Sequence, residues 1–307
     1  KETCPDGSKD ENVFDIQQGV CICIFIKIPA NAKTKKCKVF HADVFGLRNK
    51  KYDILNNSQL SDIQFTEVVP KEPDYLFLNI DYNLRSVYDE GFSVNALFNQ
   101  GSVGIVTARD GLTIDFSRNN LVERIDDFCK LDVENARTKY NLGKDVRDWK
   151  VEWAQTDINQ NALVDGNIDV KKIIPIMYRP FDMRYTLFTG TSRGFICYPR
   201  ADVMNNFILG NNIGLATARS NKSDSCDHFF VVNTIMEAKC AERTTQSAVF
   251  PLYLYSYAAG KLTRTVNMNK DIIRTICNKT NLHYVQSFNQ TQETCSMFTE
   301  RDLLNYI

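Results

Sequence analysis

The 307-residue sequence has no excess of charge of either sign, because 37 Lys and Arg residues balance 37 Asp and Glu residues. Such a chain has no overall field that attracts a polyanion, so any nucleic-acid site must be a local concentration of basic residues. Hydrophobic residues make up 43% and charged residues 24%, a globular composition that excludes disordered and collagen-like proteins. A chain of this length can fold without a disulfide or a structural metal.

Long hydrophobic runs are also missing. The most apolar stretch, residues 20–26, is far shorter than the roughly 20 residues that a membrane helix needs, and Lys27 follows it directly. No signal peptide is recognisable at the start of the sequence. We therefore expect a cytoplasmic protein with no membrane partner.

The ten cysteines are even in number, yet we expect reduced thiols, since a chain of this size does not need a disulfide framework. Cys21 and Cys23 lie in the apolar run and are predicted to pack in the core. Together with Cys37 and His41 they would offer four soft ligands. Their spacing does not resemble a CxxC zinc knuckle, so we predict no metal site.

Several catalytic motifs are absent from the sequence. It contains no Walker-type phosphate loop, no Gly-x-Gly-x-x-Gly loop and no Asn-Pro-Pro-Tyr-like box for a flipped adenine. Asp227, Glu237 and Lys239 imitate the Asp…Glu-x-Lys pattern of Mg-dependent nucleases. Because such a short pattern is common by chance, we predict no catalytic residue in this chain and keep a nuclease as the least favoured alternative.

The apolar pattern predicts an α/β fold of the mixed α+β kind, with mixed sheets and a helical insert. Residues 1–12 read as a polar leader or linker, and residues 13–307 as the folded domain. Residues 104–110 and 214–220 share the pattern Gly, two small or aliphatic residues, Thr, Ala, Arg. This similarity suggests two related halves. The halves would cover residues 13–160 and 161–307.

Local patterns place the secondary structure. Residues 13–28 and 37–45 are rich in Val, Ile and Phe and are predicted to pair as strands, and residues 75–80 and 102–107 are further strand candidates. Apolar residues recur at helical spacing from about 117 to 160. These residues include Leu121, Ile125, Phe128, Val146, Trp149 and Trp153. Strands are predicted again at residues 172–178, 184–189, 212–218, 227–232 and 249–255, before a helix near 269–278.

Arginine and aromatic residues alternate between residues 171 and 219, with few acidic residues among them. This pattern suits nucleic acid, because a guanidinium can pair with phosphate or guanine while an aromatic ring stacks. Residues 104–110 add one further arginine at the end of a predicted strand. The predicted DNA-binding residues are Arg109, Arg179, Arg184, Arg193, Tyr198, Arg200 and Arg219. We expect Arg193 and Arg200 to be exposed.

Two parts of this basic surface have a second explanation. Arg179, Asp182 and Arg184 could instead form an internal network that braces a strand turn at Pro180. A separate basic group could touch phosphates without reading sequence, although a solvated loop explains it equally well. That group comprises Lys33, Lys35, Lys36 and Lys38.

Six segments, taken in order, resemble the C-terminal specificity region of Type ISP restriction-modification enzymes and related large adenine-specific DNA methyltransferases. The segment at residues 178–185, Tyr-Arg-Pro-Phe-Asp-x-Arg-Tyr, is the most specific. The others are residues 13–20, 104–110, 198–200, 212–219 and 250–255. The resemblance covers residues 12–307, and one departure is Asn206, where family members often carry His.

The resemblance implies a target recognition domain that reads a short site in double-stranded DNA. It also implies a bacterial parent chain with an upstream N6-adenine methyltransferase domain that uses S-adenosylmethionine, and in Type ISP members helicase and nuclease parts. The fragment itself would need no cofactor. The sequence opens without Met and stops inside a predicted helix, so we expect a piece of such a parent. The competing hypothesis is a protein-protein interaction module, because Tyr and Arg are enriched in both kinds of interface.

Overall fold

Short helices and strands alternate along the chain, which confirms the predicted mixed α and β class. The structure, a computed structural model, describes residues 3–16, 18–27, 37–72, 74–220, 228–287 and 296–307. The chain separates into two units, Lys1–Gly91 and Phe92–Ile307. No helix in the described ranges is long and apolar enough to cross a membrane.

The first unit has few regular elements and little buried apolar surface. Its elements are β1 (Val39–His41), α1 (Arg48–Asn57), β2 (Thr66–Val68) and α2 (Tyr82–Asp89). The two strands pair antiparallel. A largely buried ion pair joins Lys51 to Asp10 at 2.8 Å and ties α1 to the segment before it. Cys4 and Val68 are the buried apolar side chains recorded in the described part of this unit.

Three predictions for the first unit are wrong. Residues 18–27 form no strand, and β1 pairs with β2 instead of with that run. Residues 75–80 form no strand either. Cys21 and Cys23 are exposed and do not pack in a core. A short apolar run has the same pattern whether or not another element covers it, so periodicity could not decide its burial.

The second unit contains the larger set of elements. Its helices are α3 (Val94–Leu97), α4 (Asp110–Thr113), α5 (Arg118–Lys130), α6 (Val133–Lys139), α7 (Val151–Asn161), α8 (Ala201–Met204), α9 (Lys270–Thr280) and α10 (Glu300–Tyr306). Its strands begin with β3 (Ser102–Val103), β4 (Ile114–Asp115), β5 (Leu163–Val164), β6 (Asn167–Ile168), β7 (Ile173–Arg179) and β8 (Asp182–Leu187). They continue with β9 (Gly214–Ala218), β10 (Phe229–Val232), β11 (Ile235–Met236), β12 (Ser247–Pro251), β13 (Tyr253–Ala258), β14 (Lys261–Val266), β15 (His283–Tyr284) and β16 (Met297–Phe298).

Two four-stranded sheets organise the second unit. One has the order β10-β9-β12-β3 and is antiparallel; the other has the order β11-β7-β8-β4, with β11 parallel to β7. The two similar segments, residues 104–110 and 214–220, lie on opposite sides of β12. The second segment contains β9, which pairs with β12. On the other side of β12, the N–H of Gly104 donates to the carbonyl of Ser247 at 3.0 Å. Strands from before and after residue 160 share both sheets. The division into two related halves stays a prediction.

The second unit has two hydrophobic cores. In the larger one, α5 and α7 pack with β7 and β8, and Leu121, Ile125 and Phe128 of α5 are fully buried. This burial confirms the helical insert read from their spacing. Helix α5 begins at the Ser117 cap, whose hydroxyl accepts from the Asn120 N–H. The smaller core joins α3, β12, α9 and α10.

Candidate nucleic-acid interface

The β7–β8 hairpin carries the first group of predicted residues. The Arg179 and Arg184 guanidinium groups both lie over the Tyr178 ring, each 4.0 Å from its centroid. The Tyr178 hydroxyl donates to Asp110 at 2.7 Å. Burial and this hydrogen bond raise the pKa of Tyr178. The ring therefore stays neutral and connects the hairpin to the start of α4.

Ion pairs fix both hairpin arginines. Arg184 binds Asp182 with two parallel hydrogen bonds, Nε–Oδ1 at 3.0 Å and Nη2–Oδ2 at 2.8 Å. Arg179 binds Glu237 at 2.6 Å, so the predicted Arg-Asp-Arg network is divided between two acids. The side chains of Arg179 and Arg184 are 31% and 25% exposed. Their geometry favours a bracing role over a free DNA contact.

Glu237 belongs to this brace. Its carboxylate accepts from Arg179 and from the Lys239 backbone N–H, and burial raises its pKa. The Lys239 side chain is exposed, and Asp227 lies outside the described residues. Within the described ranges, no group of three or more His, Cys, Asp or Glu side chains is placed to hold a metal ion. The geometry gives Glu237 a structural partner, Arg179.

A second group forms where two chain segments meet. Val106 and Tyr198 exchange two backbone hydrogen bonds of 3.0 Å, which brings Arg109 and Arg200 to neighbouring positions. The Arg193 N–H donates to the Cys197 carbonyl at 2.8 Å and closes the loop beside them. Burial raises the pKa of Cys197, while the positive charges of the three arginines act to lower it. We call this set the arginine cluster: Arg109, Arg193, Tyr198 and Arg200.

The members of the arginine cluster differ in how firmly they are held. The Arg109 guanidinium lies over the buried Trp149 ring, 4.9 Å from its centroid, and donates to the Leu142 carbonyl at 2.7 Å. Arg193 and Arg200 are exposed, as predicted. Arg200 lies over the Tyr198 ring at 5.1 Å, and Arg193 is 3.7 Å from a carboxylate oxygen of Asp148. The cluster thus has one anchored and two accessible cations.

Asp148 orients the cluster from one side. A hydrogen bond from the Tyr198 hydroxyl to this carboxylate raises the pKa of Tyr198. The same acid faces Arg193. Asp148 therefore positions an aromatic ring and a cation together.

The backbone at the arginine cluster and directly before Arg109 is unusual. Ala108, Arg193 and Arg200 have φ values of 65°, 59° and 53°. This left-handed region is unfavourable for residues with a side chain, at about 1–2 kcal/mol for each residue. Such residues concentrate at functional sites, where the surrounding structure holds them in place. The strain supports a functional interpretation of this surface.

Arg219 lies apart from the arginine cluster. It is exposed at the end of β9, where its N–H donates to the Gln246 carbonyl at 3.0 Å. It lines an open groove of about 320 Å³ together with Phe98, Ser102 and Phe250. Arg109 and Arg219 end similar segments. After the first segment, however, the positive φ of Ala108 changes the direction of the chain, which continues into α4. The two arginines are therefore not equivalent.

Sequence reasoning missed the residues that hold the arginines. Trp149 fits the helical pattern of the sequence, but it precedes α7 and forms an isolated bridge with Val146. Asp110 and Asp148 had no distinguishing spacing, and their roles depend on contacts between distant segments. In the basic group near the N-terminus, Lys38 is paired with Glu67 at 2.9 Å. Lys33, Lys35 and Lys36 lie outside the described residues.

Asn206 is a structural connector. Its amide donates to the Asp202 and Val203 carbonyls at 3.1 and 3.0 Å. Its side-chain oxygen accepts from the Tyr255 N–H at 2.7 Å. The buried amide therefore joins the end of α8 to β13.

The fold and these side chains define a mixed α/β domain with an exposed surface of arginine and tyrosine. The model of the Type ISP C-terminal specificity domain family matches residues 96–307. Since the match covers more than half of the chain, the chain belongs to this family. None of the curated proteins compared with the sequence matches it.

Solved structures resemble the chain at low sequence identity. A cryo-EM structure of a DrdV–DNA complex is 18% identical, with a TM-score of 0.45, covering 79% of this chain and 25% of that one. The ATP-dependent Type ISP restriction-modification enzyme LlaBIII bound to DNA is 14% identical, with a TM-score of 0.49, covering 78% and 16%. A nuclease-deletion mutant of the Type ISP enzyme LlaGI with a DNA substrate mimic is 18% identical, with a TM-score of 0.44, covering 73% and 22%. The chain spans a quarter or less of their lengths.

Proposed function

We propose that this chain recognises a short sequence in double-stranded DNA as the specificity domain of a restriction-modification enzyme. Membership of the Type ISP C-terminal specificity domain family supports this function. The observation that carries it is the arginine cluster, in which Arg109, Arg193 and Arg200 converge around Cys197. Arg193 and Arg200 do so on strained backbone. Convergent basic groups provide the local positive charge that a neutral chain needs to hold DNA.

The two accessible arginines suit different kinds of DNA contact. Arg193 and Arg200 can form bidentate hydrogen bonds with phosphate or with the O6 and N7 atoms of guanine. Arg109 is fixed on Trp149 and adds positive charge at a set position. Tyr198 is half-buried beside them, with its hydroxyl bonded to Asp148. Phosphate contacts would set the register of the domain, and base contacts would read the sequence.

We further propose that the catalytic steps belong to other parts of a bacterial, cytoplasmic parent chain. An N6-adenine methyltransferase domain would bind S-adenosylmethionine and flip the target adenine out of the duplex. This sequence has no Asn-Pro-Pro-Tyr-like box and no Gly-x-Gly-x-x-Gly loop to hold either group. The role of this chain is then to place that domain on the correct site.

Fluorescence anisotropy with random-sequence duplex pools tests the DNA proposal. Wild-type binding should weaken at least about tenfold between roughly 50 and 200 mM salt, because bound phosphates release counterions. The double variant Arg193→Ala, Arg200→Ala should bind more weakly. Its salt slope, the slope of the logarithm of the binding constant against the logarithm of the salt concentration, should be smaller in magnitude by about two if both side chains contact phosphate.

The matched control removes two cations from α9, by Arg274→Ala and Lys279→Ala. Both side chains are exposed and lie outside the arginine cluster. We expect this variant to bind like the wild type. An equal loss in both double variants would mean that binding follows net charge and not this surface. Binding to a protein partner that salt leaves unchanged would instead support the interaction-module hypothesis.

A further inference from the structure

Phe181 combines full exposure with an unfavourable backbone. Its side chain is 90% exposed, and its φ is 62°. Strand β7 ends at Arg179 and pairs with the first residue of β8, Asp182, so Pro180 and Phe181 form a two-residue loop. A turn with Pro first and a positive φ second ordinarily takes Gly or Asn at the second position. A phenylalanine there gains little burial to offset the strain.

Ion pairs hold both ends of the loop that presents Phe181. Arg184 holds Asp182 on one side of the loop, and Arg179 is held by Glu237 on the other. The Phe181 ring meets the Phe230 ring edge-on, with centroids 6.2 Å apart and planes at 85°. A support held at both ends loses little conformational freedom when the ring it carries binds a ligand.

The position of Phe181 relates it to the arginine cluster. It lies three residues, or roughly 10 Å of extended chain, beyond Tyr178. Tyr178 is hydrogen-bonded to Asp110, which directly follows Arg109. One turn of B-DNA is about 34 Å long, so a duplex bound at the arginine cluster extends across distances of this order.

We propose that Phe181 is an aromatic wedge that stacks on the bases of the bound duplex at one base step. Apolar side chains inserted between bases unstack a step and bend the duplex around more protein surface. An exposed ring on a loop held at both ends has the chemistry for this contact, and every base offers a π face to it. The inference rests on the proposed function and adds to it a contact that is not electrostatic. A strained phenylalanine with no burial is then explained by its ligand.

The test uses the whole chain and a duplex enriched from a random pool by the wild type, with 2-aminopurine at successive positions. Wild-type binding should raise 2-aminopurine fluorescence at one step, where the base is unstacked. Phe181→Trp should keep this signal. Phe181→Ala should abolish it and weaken binding about fivefold or more, the loss expected for one stacked base.

Two further variants separate this effect from misfolding. Phe181→Gly relieves the backbone strain, so its melting temperature should not fall although it loses the signal like the alanine variant. Tyr306→Ala removes an equally exposed ring (89%) from α10 and should leave binding and fluorescence unchanged.

The outcomes distinguish this inference from the proposed function. If the wild type binds duplex through Arg193 and Arg200 but Phe181→Ala gives the same affinity and fluorescence, the wedge is wrong and the DNA proposal stands. If the wild type binds no duplex, both are wrong.

Discussion

Individual arginines of this chain differ in what holds them, and this decides what each can do. Arg184 forms a bidentate pair with Asp182, and its side chain is 25% exposed. Two parallel hydrogen bonds set the plane of a guanidinium. Arg193 is 50% exposed, and the Asp148 oxygen beside it is 3.7 Å away. Arg184 therefore shapes the hairpin, while Arg193 keeps donors for a ligand.

The Asp182–Arg184 pair makes stability depend on pH. The hydrogen bond from Arg184 holds the pKa of Asp182 below its usual value. Stabilisation from a carboxylate with a lowered pKa is present above the pKa of the unfolded chain and is lost as pH falls through the folded value. Asp182→Asn should cost about 0.5–1 kcal/mol at neutral pH. The difference from wild type should shrink as pH falls below the usual range of aspartate pKa values, as measured by urea unfolding at neutral and acidic pH.

Asp271→Asn is the control for this prediction. Its pair with Arg274 on α9 is far more exposed, with side chains 82% and 71% accessible, so the loss should be smaller. A loss for Asp182→Asn that persists in acid would show that the variant acts through hairpin geometry and not through the carboxylate charge.

The sequence alone identified the exposed arginines but not the residues that hold the arginines in place. The expected exposure of Arg193 and Arg200 is confirmed. Arg109 is anchored on Trp149, and the residue directly before it, Ala108, adopts a left-handed backbone. Alanine has no preference for that conformation, so no local signal in the sequence announces it.

At the scale of elements, the segment from α8 to β13 depends on one buried amide. Asn206 makes three hydrogen bonds to backbone groups of α8 and β13. Removing a buried partner leaves the other groups unsatisfied, at about 1–3 kcal/mol for each change of this kind. Asn206→Ala should therefore destabilise the chain by at least about 2 kcal/mol in urea unfolding.

Asn205, the exposed neighbour of Asn206, provides the control. Asn205→Ala should change stability by less than about 0.5 kcal/mol, as surface substitutions usually do. Equal effects at the two positions would mean that the buried amide does not connect the elements. Asn206→Asp keeps the acceptor for Tyr255 but places a charge beside two carbonyls, so it should destabilise at least as much as alanine.

Elements with strong local patterns were predictable, and those defined by distant partners were not. Helix α5 follows directly from the spacing of its apolar residues. Residues 249–255 were predicted as one strand but divide into β12 and β13, because the first pairs with β9 and the second with β14. The exchange of partners at Leu252 is set by sequences far along the chain. The local hydrophobic pattern therefore cannot predict this change of pairing partner.

At the scale of the molecule, the net charge is zero, but the charged residues have different roles in different places. The acids near the hairpin, Asp182 and Glu237, are paired with arginines and neutralise them. The arginine cluster brings three cations to one surface with Asp148 beside them. Binding to DNA depends on such local potentials and not on the sum over the chain.

The division of the chain into two units leads to a last prediction. Both hydrophobic cores and every predicted DNA-binding residue lie in Phe92–Ile307. A fragment of residues 92–307 should therefore unfold cooperatively in urea, because a core of this size supports independent folding. Its affinity for duplex DNA should match that of the whole chain. Its salt slope should differ from that of the whole chain by no more than about one, the change expected for one phosphate contact.

Retention of both properties would assign DNA binding to the second unit alone. A fragment that folds but has a salt slope smaller by about two or more would show that the first unit contributes phosphate contacts. The basic group around Lys38 is the candidate for those contacts, because phosphate binding needs only positive charge near the backbone and no base readout. A charge-reversing variant, Lys38→Glu, in the whole chain should then reproduce part of the reduced slope. If Lys38→Glu does not reduce the salt slope, the smaller slope of the fragment must come from the loss of other residues of Lys1–Gly91.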